Sequence, residues 1–202
     1  MTYALYSKAL GHTNLHFEYV DGDIRRVVHE DQSIDIGINP VDWTKAMLFG
    51  RRVKTEFLPT RIRPTTNQSR MPDFARAQLA HVCTAKFRDV VESLEPGVHQ
   101  FVPVEVVRKN GDHVADMFWF VVCNRLDTLE LDLLRPPVSK LGFYSGLSND
   151  PRIVFNRSKI EPHHVWIDKR VIGEFVWVSD AFHDAAMSAG LLGLKLNPKE
   201  TV

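Results

Sequence analysis

The chain has no excess of either charge: 25 Lys plus Arg stand against 25 Asp plus Glu in 202 residues. A protein that wraps nucleic acid usually carries a basic excess, so the totals argue against direct nucleic-acid binding. Cysteine is nearly absent. Cys83 and Cys123 both sit in apolar surroundings and read as buried, reduced thiols rather than a disulfide. No apolar run approaches the roughly eighteen residues of a membrane span. The start, Met-Thr-Tyr-Ala-Leu-Tyr-Ser-Lys, lacks the basic and apolar regions of an export signal. These absences predict a soluble cytoplasmic protein that stays out of the membrane. Catalytic signatures are missing too. There is no Gly-x-Ser-x-Gly elbow, Ser145-Gly146 lies in a loop, and no glycine cluster opens a helix. His163 and His164 are adjacent, and neighbours on a strand point to opposite faces, so they do not easily hold one ion. The sequence therefore predicts no catalytic residue, no metal ligand and no cofactor.

What is present is an ordinary core-forming composition, 44% apolar and 25% charged, enough for one domain over 1–202 without staples. The organising stretch is 97–124. Two β-branched and aromatic runs flank Asn110-Gly111, a pair that tolerates the positive φ of a type I′ hairpin turn. Its second run, Met117 to Cys123, is apolar at every position and predicts burial on both faces. A two-residue turn pairs Lys109 with Asp112 favourably. It also sets Glu105 against Asp116, a like-charge pair that a bulge or a longer loop would relieve.

Thr84 is placed to cap a helix ending near Glu95, because Phe87, Val90, Val91 and Leu94 share one helical face. His81 to Cys83 reads as a separate short strand before it. Ser179 caps a second helix over 180–189, stopped by Gly190. Strand character marks Tyr3 to Tyr6 as an edge, and recurs at Leu15 to Val20, Ile24 to Val28, Val53 to Leu58, Pro151 to Phe155, Val165 to Ile167, Phe175 to Val178 and Leu194 to Leu196. Asn39-Pro40 marks a break. Val41 to Gly50, with Trp43, Met47, Leu48 and Phe49, reads as one or two helical turns ended by Gly50, 59–72 as a linker, and Leu126 to Leu134 as either a strand or an irregular capping segment. The fold expected is α+β: a mostly antiparallel sheet on a central hairpin with two or more helices packed against it. A less legible portion over 1–70 precedes a core over 71–202.

Two acidic groups invite a functional reading: Glu18, Asp21, Asp23, Glu30, Asp31 and Asp35, and then Asp127, Glu130 and Asp132. Most charge clusters are solvated surface; the alternative is a patch for a basic partner. Trp119 reads as core. Trp166 and Trp177 alternate with smaller apolar residues, and either would be an interface anchor if exposed. A competing reading is a small hydrolase or nuclease, which needs Glu105, Asp116, His99 and His113 to converge in a pocket.

The run Phe87-Arg88-Asp89-Val90-Val91-Glu92-Ser93-Leu94-Glu95-Pro96-Gly97-Val98-His99-Gln100-Phe101-Val102-Pro103-Val104 resembles the central element of a bacterial family of immunity proteins from polymorphic toxin systems. Val122 to Leu129 is similar to that family's strand end, and Phe175 to Leu196 to its C-terminal strand, Ser-capped helix and last strand. The likeness covers about 75–130 and 160–198. Its motifs are structural, so it carries over no active-site residue. The resemblance implies a non-enzymatic protein that binds and neutralises a cognate toxin delivered by contact-dependent or type VI secretion. It implies that the toxin is encoded beside it and met in the cytoplasm, and it leaves a homo-oligomer open. Asp127, Glu130, Asp132, Trp166 and Trp177 are the expected toxin contacts.

Overall fold

The computed structural model describes residues 1–8, 10, 15–33, 43–66, 70–144, 151–171 and 175–202. Asp35, the Asn39-Pro40 break and Ser145-Gly146 lie outside the described residues, as does the side chain of Trp43. In chain order the strands are β1 (Thr2–Ser7), β2 (Phe17–Tyr19), β3 (Arg61–Pro64), β4 (Phe74–Ala77), β5 (Ala80–Cys83), β6 (Gln100–Val107), β7 (His113–Val121), β8 (Arg125–Leu126), β9 (Val154–Phe155), β10 (Val165–Asp168), β11 (Val176–Ser179) and β12 (Leu194–Thr201). The α-helices are α1 (Ala85–Leu94), α2 (Arg157–Ile160) and α3 (Asp180–Ser188). The fold is α+β, and its two six-stranded sheets are mixed rather than purely antiparallel. One has the order β8-β10-β11-β1-β12-β9, the other β2-β3-β6-β7-β5-β4. No helix of the described residues is long and apolar enough to cross a membrane.

The alternation of side chains along β7 explains the layering. Met117, Trp119 and Val121 enter a core that closes over Phe17, Ile24, Val53 and Ile62 of the N-terminal portion. Phe120, and Val122 just beyond the strand, face the other way. They meet Phe87 of α1, Phe182 of α3 and the inner residues of the first sheet, Leu5, Val165, Val176 and Val178. The run from Met117 to Cys123, apolar at every position, is thus covered on both faces, as its composition requires. The far side of the first sheet makes a third core, where Trp166 and Trp177 pack on Phe155 and Leu129.

Both main helices start at the expected caps. Thr84 Oγ1 accepts the Phe87 N–H at 3.4 Å and Ser179 Oγ the Phe182 N–H at 3.2 Å. Each satisfies a donor that the first turn leaves open. Asp73 then locks the two helix ends together. It accepts from Thr84 Oγ1 at 2.6 Å and from the Leu192 N–H at 2.6 Å, beyond the end of α3.

The hairpin departs from the expected turn in an instructive way. Arg108 N–H bonds Asp112 O at 2.8 Å and Gly111 N–H bonds Arg108 O at 3.0 Å, so the loop is Lys109-Asn110-Gly111. Only Gly111 has positive φ, +91°, which is a type I turn closed by a left-handed glycine. Lys109 therefore sits in the loop and does not pair with Asp112. The register also shifts between Val106 and Val107, where Val106 faces Ala115 and Val107 faces His113, so Val114 is extra. The longer loop and the bulge offset each other, and Glu105 still stands opposite Asp116.

Five expectations change. β1 is central, not an edge: it pairs with β11 on one side and β12 on the other. The stretch read as a linker contains β3, paired antiparallel with β2 and parallel with β6. Its one apolar side chain, Ile62, is fully buried, and its arginines bond Glu18 and Asp21, so no apolar pattern announced it. Ile24 to Val28 is not a strand but starts with a 3-10 turn over Ile24–Arg26, and Val53 keeps only a single bridge to His29. β12 continues past Asn197-Pro198. Pro198 has no N–H to give, but it precedes the point where β9 begins to pair, at Glu200, so no bond is lost on that side.

Gly193 tests the close approach behind Asp73. Its φ is +74°, and an added Cβ would run into Pro72. Gly193→Ala is expected to lower the unfolding free energy by ~2–4 kcal/mol in urea titration. Gly111→Ala, where no atom lies within 4 Å, should cost only ~1 kcal/mol through its dihedral alone. Equal losses would mean that the packing at Pro72 contributes nothing.

Candidate functional site

The residues that the sequence marked as toxin contacts do not share one surface chemistry. Trp166 and Trp177 are 0% and 2% exposed, so neither presents an anchor to a partner. The reason is local. Alternate positions of β10 and β11 face the third core, where Trp166 Nε1 donates to Thr128 Oγ1 at 3.2 Å and Trp177 meets Phe155 at a ring separation of 4.8 Å. Asp127 is half-buried between two cations, 2.6 Å from Arg170 Nε and 2.9 Å from Lys169 Nζ. The Arg170 guanidinium holds its carboxyl down to about 2 against the effect of burial. Glu130 accepts from Asn156 Nδ2 at 2.8 Å. Asp132 alone of the five is exposed, in a 3-10 turn over Leu131–Leu133.

The first acidic group is similarly occupied. Glu18 takes Nε and Nη2 of Arg63 at 3.2 and 2.6 Å. Asp21 accepts from the Thr60 N–H, its hydroxyl and the Arg61 N–H, and these bonds hold its carboxyl low although burial opposes them. Asp23 and Asp31 accept backbone N–H groups two residues on. These carboxylates terminate turns and pair strands.

The four residues of the enzyme reading do not converge. Glu105 and Asp116 face each other across β6 and β7, with His113 Nε2 3.1 Å from Asp116 Oδ1. His99 lies just before Gln100, at the opposite end of β6, ~20 Å along the strand from Glu105. Its side chain is inaccessible to solvent. His163 and His164 part as expected of neighbours: His163 Nδ1 lies 3.7 Å from Glu95 Oε1, and His164 Nδ1 meets Ser179 Oγ at 2.9 Å. Among the described residues no group of three His, Cys, Asp or Glu side chains is arranged to hold a metal ion.

His99 belongs instead to a cluster that sequence reasoning missed. Glu95 follows α1 and is buried. Its carboxylate accepts from His99 Nε2 at 2.9 Å, Asn124 Nδ2 at 2.8 Å and the Val165 N–H at 2.9 Å. The Cys123 N–H donates to His99 Nδ1 at 3.1 Å, which leaves the ring hydrogen on Nε2, facing Glu95. A Cys, a His, an Asn and a Glu in contact resemble a thiol-hydrolase constellation, but the thiol is not activated. Burial pushes Cys123 up to about 11, and its sulfur lies 3.3 Å from the Val121 carbonyl. The cluster joins α1, both strands of the hairpin and β10. A signal for it existed: a carboxylate at the negative end of a helix is unfavourable unless something pairs it.

The open charged surface lies at the other end of the second sheet. Parallel strands β3 and β6 end together there, and a groove of about 410 Å³ is lined by Glu18, Arg63, Thr65, Thr66, Arg108 and Lys109.

The model of an immunity protein family, Imm11, matches residues 26–201. The chain belongs to this family. The match spans the second sheet from β3 onward, β8 to β12, both main helices and the Glu95 cluster, and leaves β1 and β2 before it. No curated protein matches the chain.

Burial alone would raise the Glu95 carboxyl. The His99 hydrogen bond and the His164 and Val165 N–H groups outweigh it and hold the group below its ordinary 4.5. Its share of stability is therefore complete above that value and lost as pH falls through the lower folded one. Glu95→Gln is expected to cost ~2–4 kcal/mol at neutral pH by leaving donors unpaired. It should also flatten the loss of stability in urea titrations between about pH 5 and pH 3. Parallel pH profiles for the two proteins would contradict this assignment.

Proposed function

We propose that this protein neutralises a cognate antibacterial toxin by binding it in the cytoplasm of the producing cell, as a stoichiometric inhibitor without catalysis. The observation that carries this reading is the Imm11 match over 26–201. The arrangement of titratable groups agrees with it. His99 and Glu95 are engaged in the core, Cys123 is protonated, and Ser179, though close to His164, serves as a helix cap. Rigid presentation of a surface on two braced sheets suits an inhibitor, since little ordering is left to be done on association. Of the residues first considered for toxin contact, Asp132 and Glu130 retain surface for it, Asp127 acts through its ion pairs, and the two tryptophans act by supporting β10 and β11 from behind. The toxin is taken to be the product of the adjoining gene, delivered by contact-dependent or type VI secretion.

Expression of the adjoining product alone is expected to arrest growth, and co-expression of this protein to restore it. The two should co-purify as a stable complex. Growth unaffected by the neighbour, together with no complex on size exclusion, would overturn the reading.

A further inference from the structure

We infer that the groove where β3 and β6 end is a docking site for an acidic segment of the partner protein. This rests on the immunity reading above and adds the chemistry of the contact. The argument begins with charge accounting. Around the groove, Glu18 is already held by Nε and Nη2 of Arg63. Arg108 and Lys109 are both exposed and have no ion-pair partner among the described residues. The lining thus carries three cations against one carboxylate that is already paired.

The second observation is a hydroxyl without a partner. Thr66 Oγ1 lines the groove, is inaccessible to solvent and makes no hydrogen bond among the described residues. A buried polar atom left unpaired costs free energy, and because Oγ1 is closed to solvent an acceptor entering the groove relieves it only as the Thr66 side chain turns toward it. Thr66 O–H, Arg108 and Lys109 are all donors, and a carboxylate is an acceptor that also carries the complementary charge. The backbone that carries Arg108 and Lys109 is set by the Arg108–Asp112 backbone bond and by the register shift at Val114. The space, about 410 Å³, admits one or two acidic side chains.

The acidic clusters of this protein suggested a basic partner surface, but the geometry of this groove points the other way. Its unpaired charge is positive, and complementary charge at such a site raises the association rate and discriminates between partners.

The probe is tetraglutamate, titrated into the full chain at low salt and followed by amide NMR. Shifts are expected to concentrate at Thr65, Thr66, Arg108 and Lys109. They should vanish in Arg108→Glu/Lys109→Glu and persist in Lys195→Glu, an exposed charge reversal on β12. Shifts spread evenly over the surface, or none, overturn the groove. With the neighbouring gene's toxin domain, the same double variant should bind about tenfold more weakly or worse, mainly through slower association, and the toxin should displace tetraglutamate. A toxin that binds wild type and double variant alike, leaving tetraglutamate in place, overturns this inference and leaves the immunity reading intact. A toxin domain that does not bind wild type at all overturns both.

Discussion

The carboxylate of Glu95 is the constraint on which the packing of the two sheets depends. It is buried just beyond the C-terminal end of a helix, a position that desolvation and the helix dipole both disfavour. It remains ionised because donors from three separate segments are aimed at it: His99 before β6, Asn124 after β7, and the Val165 N–H of β10. Asn124 extends the link, bonding the Val165 carbonyl through its amide and accepting the Ile167 N–H on its own carbonyl. A charge-assisted hydrogen bond is roughly twice as strong as a neutral one. One group therefore fixes the angle at which the hairpin meets the other sheet. Removing any donor would leave the charge underpaired, so these segments move together or not at all.

Glu95 works because the layers around it are dry. The second sheet is covered by the N-terminal portion on one face and by α1, α3 and the first sheet on the other. Its central strand could carry the unbroken apolar run that begins at Met117 only under that condition. Asp73 ties the far ends of α1 and α3 in the same manner as Glu95 ties the near end of α1. α1 is thus pinned at both ends by buried carboxylates, and α3 at its C-terminal end. Asp168 plays a third such part: it accepts from the Thr128 N–H and hydroxyl at 2.7 Å each, below Trp166. In each case the acid is fully hydrogen-bonded, which is what makes a buried charge tolerable.

Local chemistry in the sequence was legible wherever a short pattern decides the outcome. Thr84 and Ser179 announce helices because a capping hydroxyl needs only the N–H groups of the next turn. Met117 to Cys123 announces burial on both faces through composition alone. The immunity family was legible from 87–104 because that run holds the helix end, the Glu95–His99 pair and the start of β6. What failed depended on distant partners. β3 has one apolar residue and is a strand because Glu18, Asp21 and β6 lie beside it. β1 looked like an edge because it is short and near the N-terminus, yet β11 and β12 flank it. Asn110-Gly111 promised a two-residue turn, but the bulge at Val114 permits a longer loop without changing the register that the core demands. For the candidate site, Trp166 and Trp177 could not be placed from alternation, since a sheet with cores on both faces has no solvent side for them to choose.

The same logic bears on where a partner can be met. Acidic residues are abundant, but the positions that the structure describes assign most of the clustered ones to turns, strand pairs and buried links. Glu18, Asp21, Asp23, Asp31 and Asp127 all have such duties. A charge that already satisfies its own fold gains little from a partner, because its donors would have to be given up first. The surface free to discriminate is the surface whose groups are not yet satisfied. By that criterion the hairpin end stands out: Arg108, Lys109 and the Thr66 hydroxyl are donors without acceptors among the described residues, in the segments that follow β6 and β3. A balanced net charge of zero thus conceals local differences: carboxylates such as Glu95, Asp73 and Asp168 are spent on the framework, while Arg108 and Lys109 stand exposed without an ion-pair partner among the described residues.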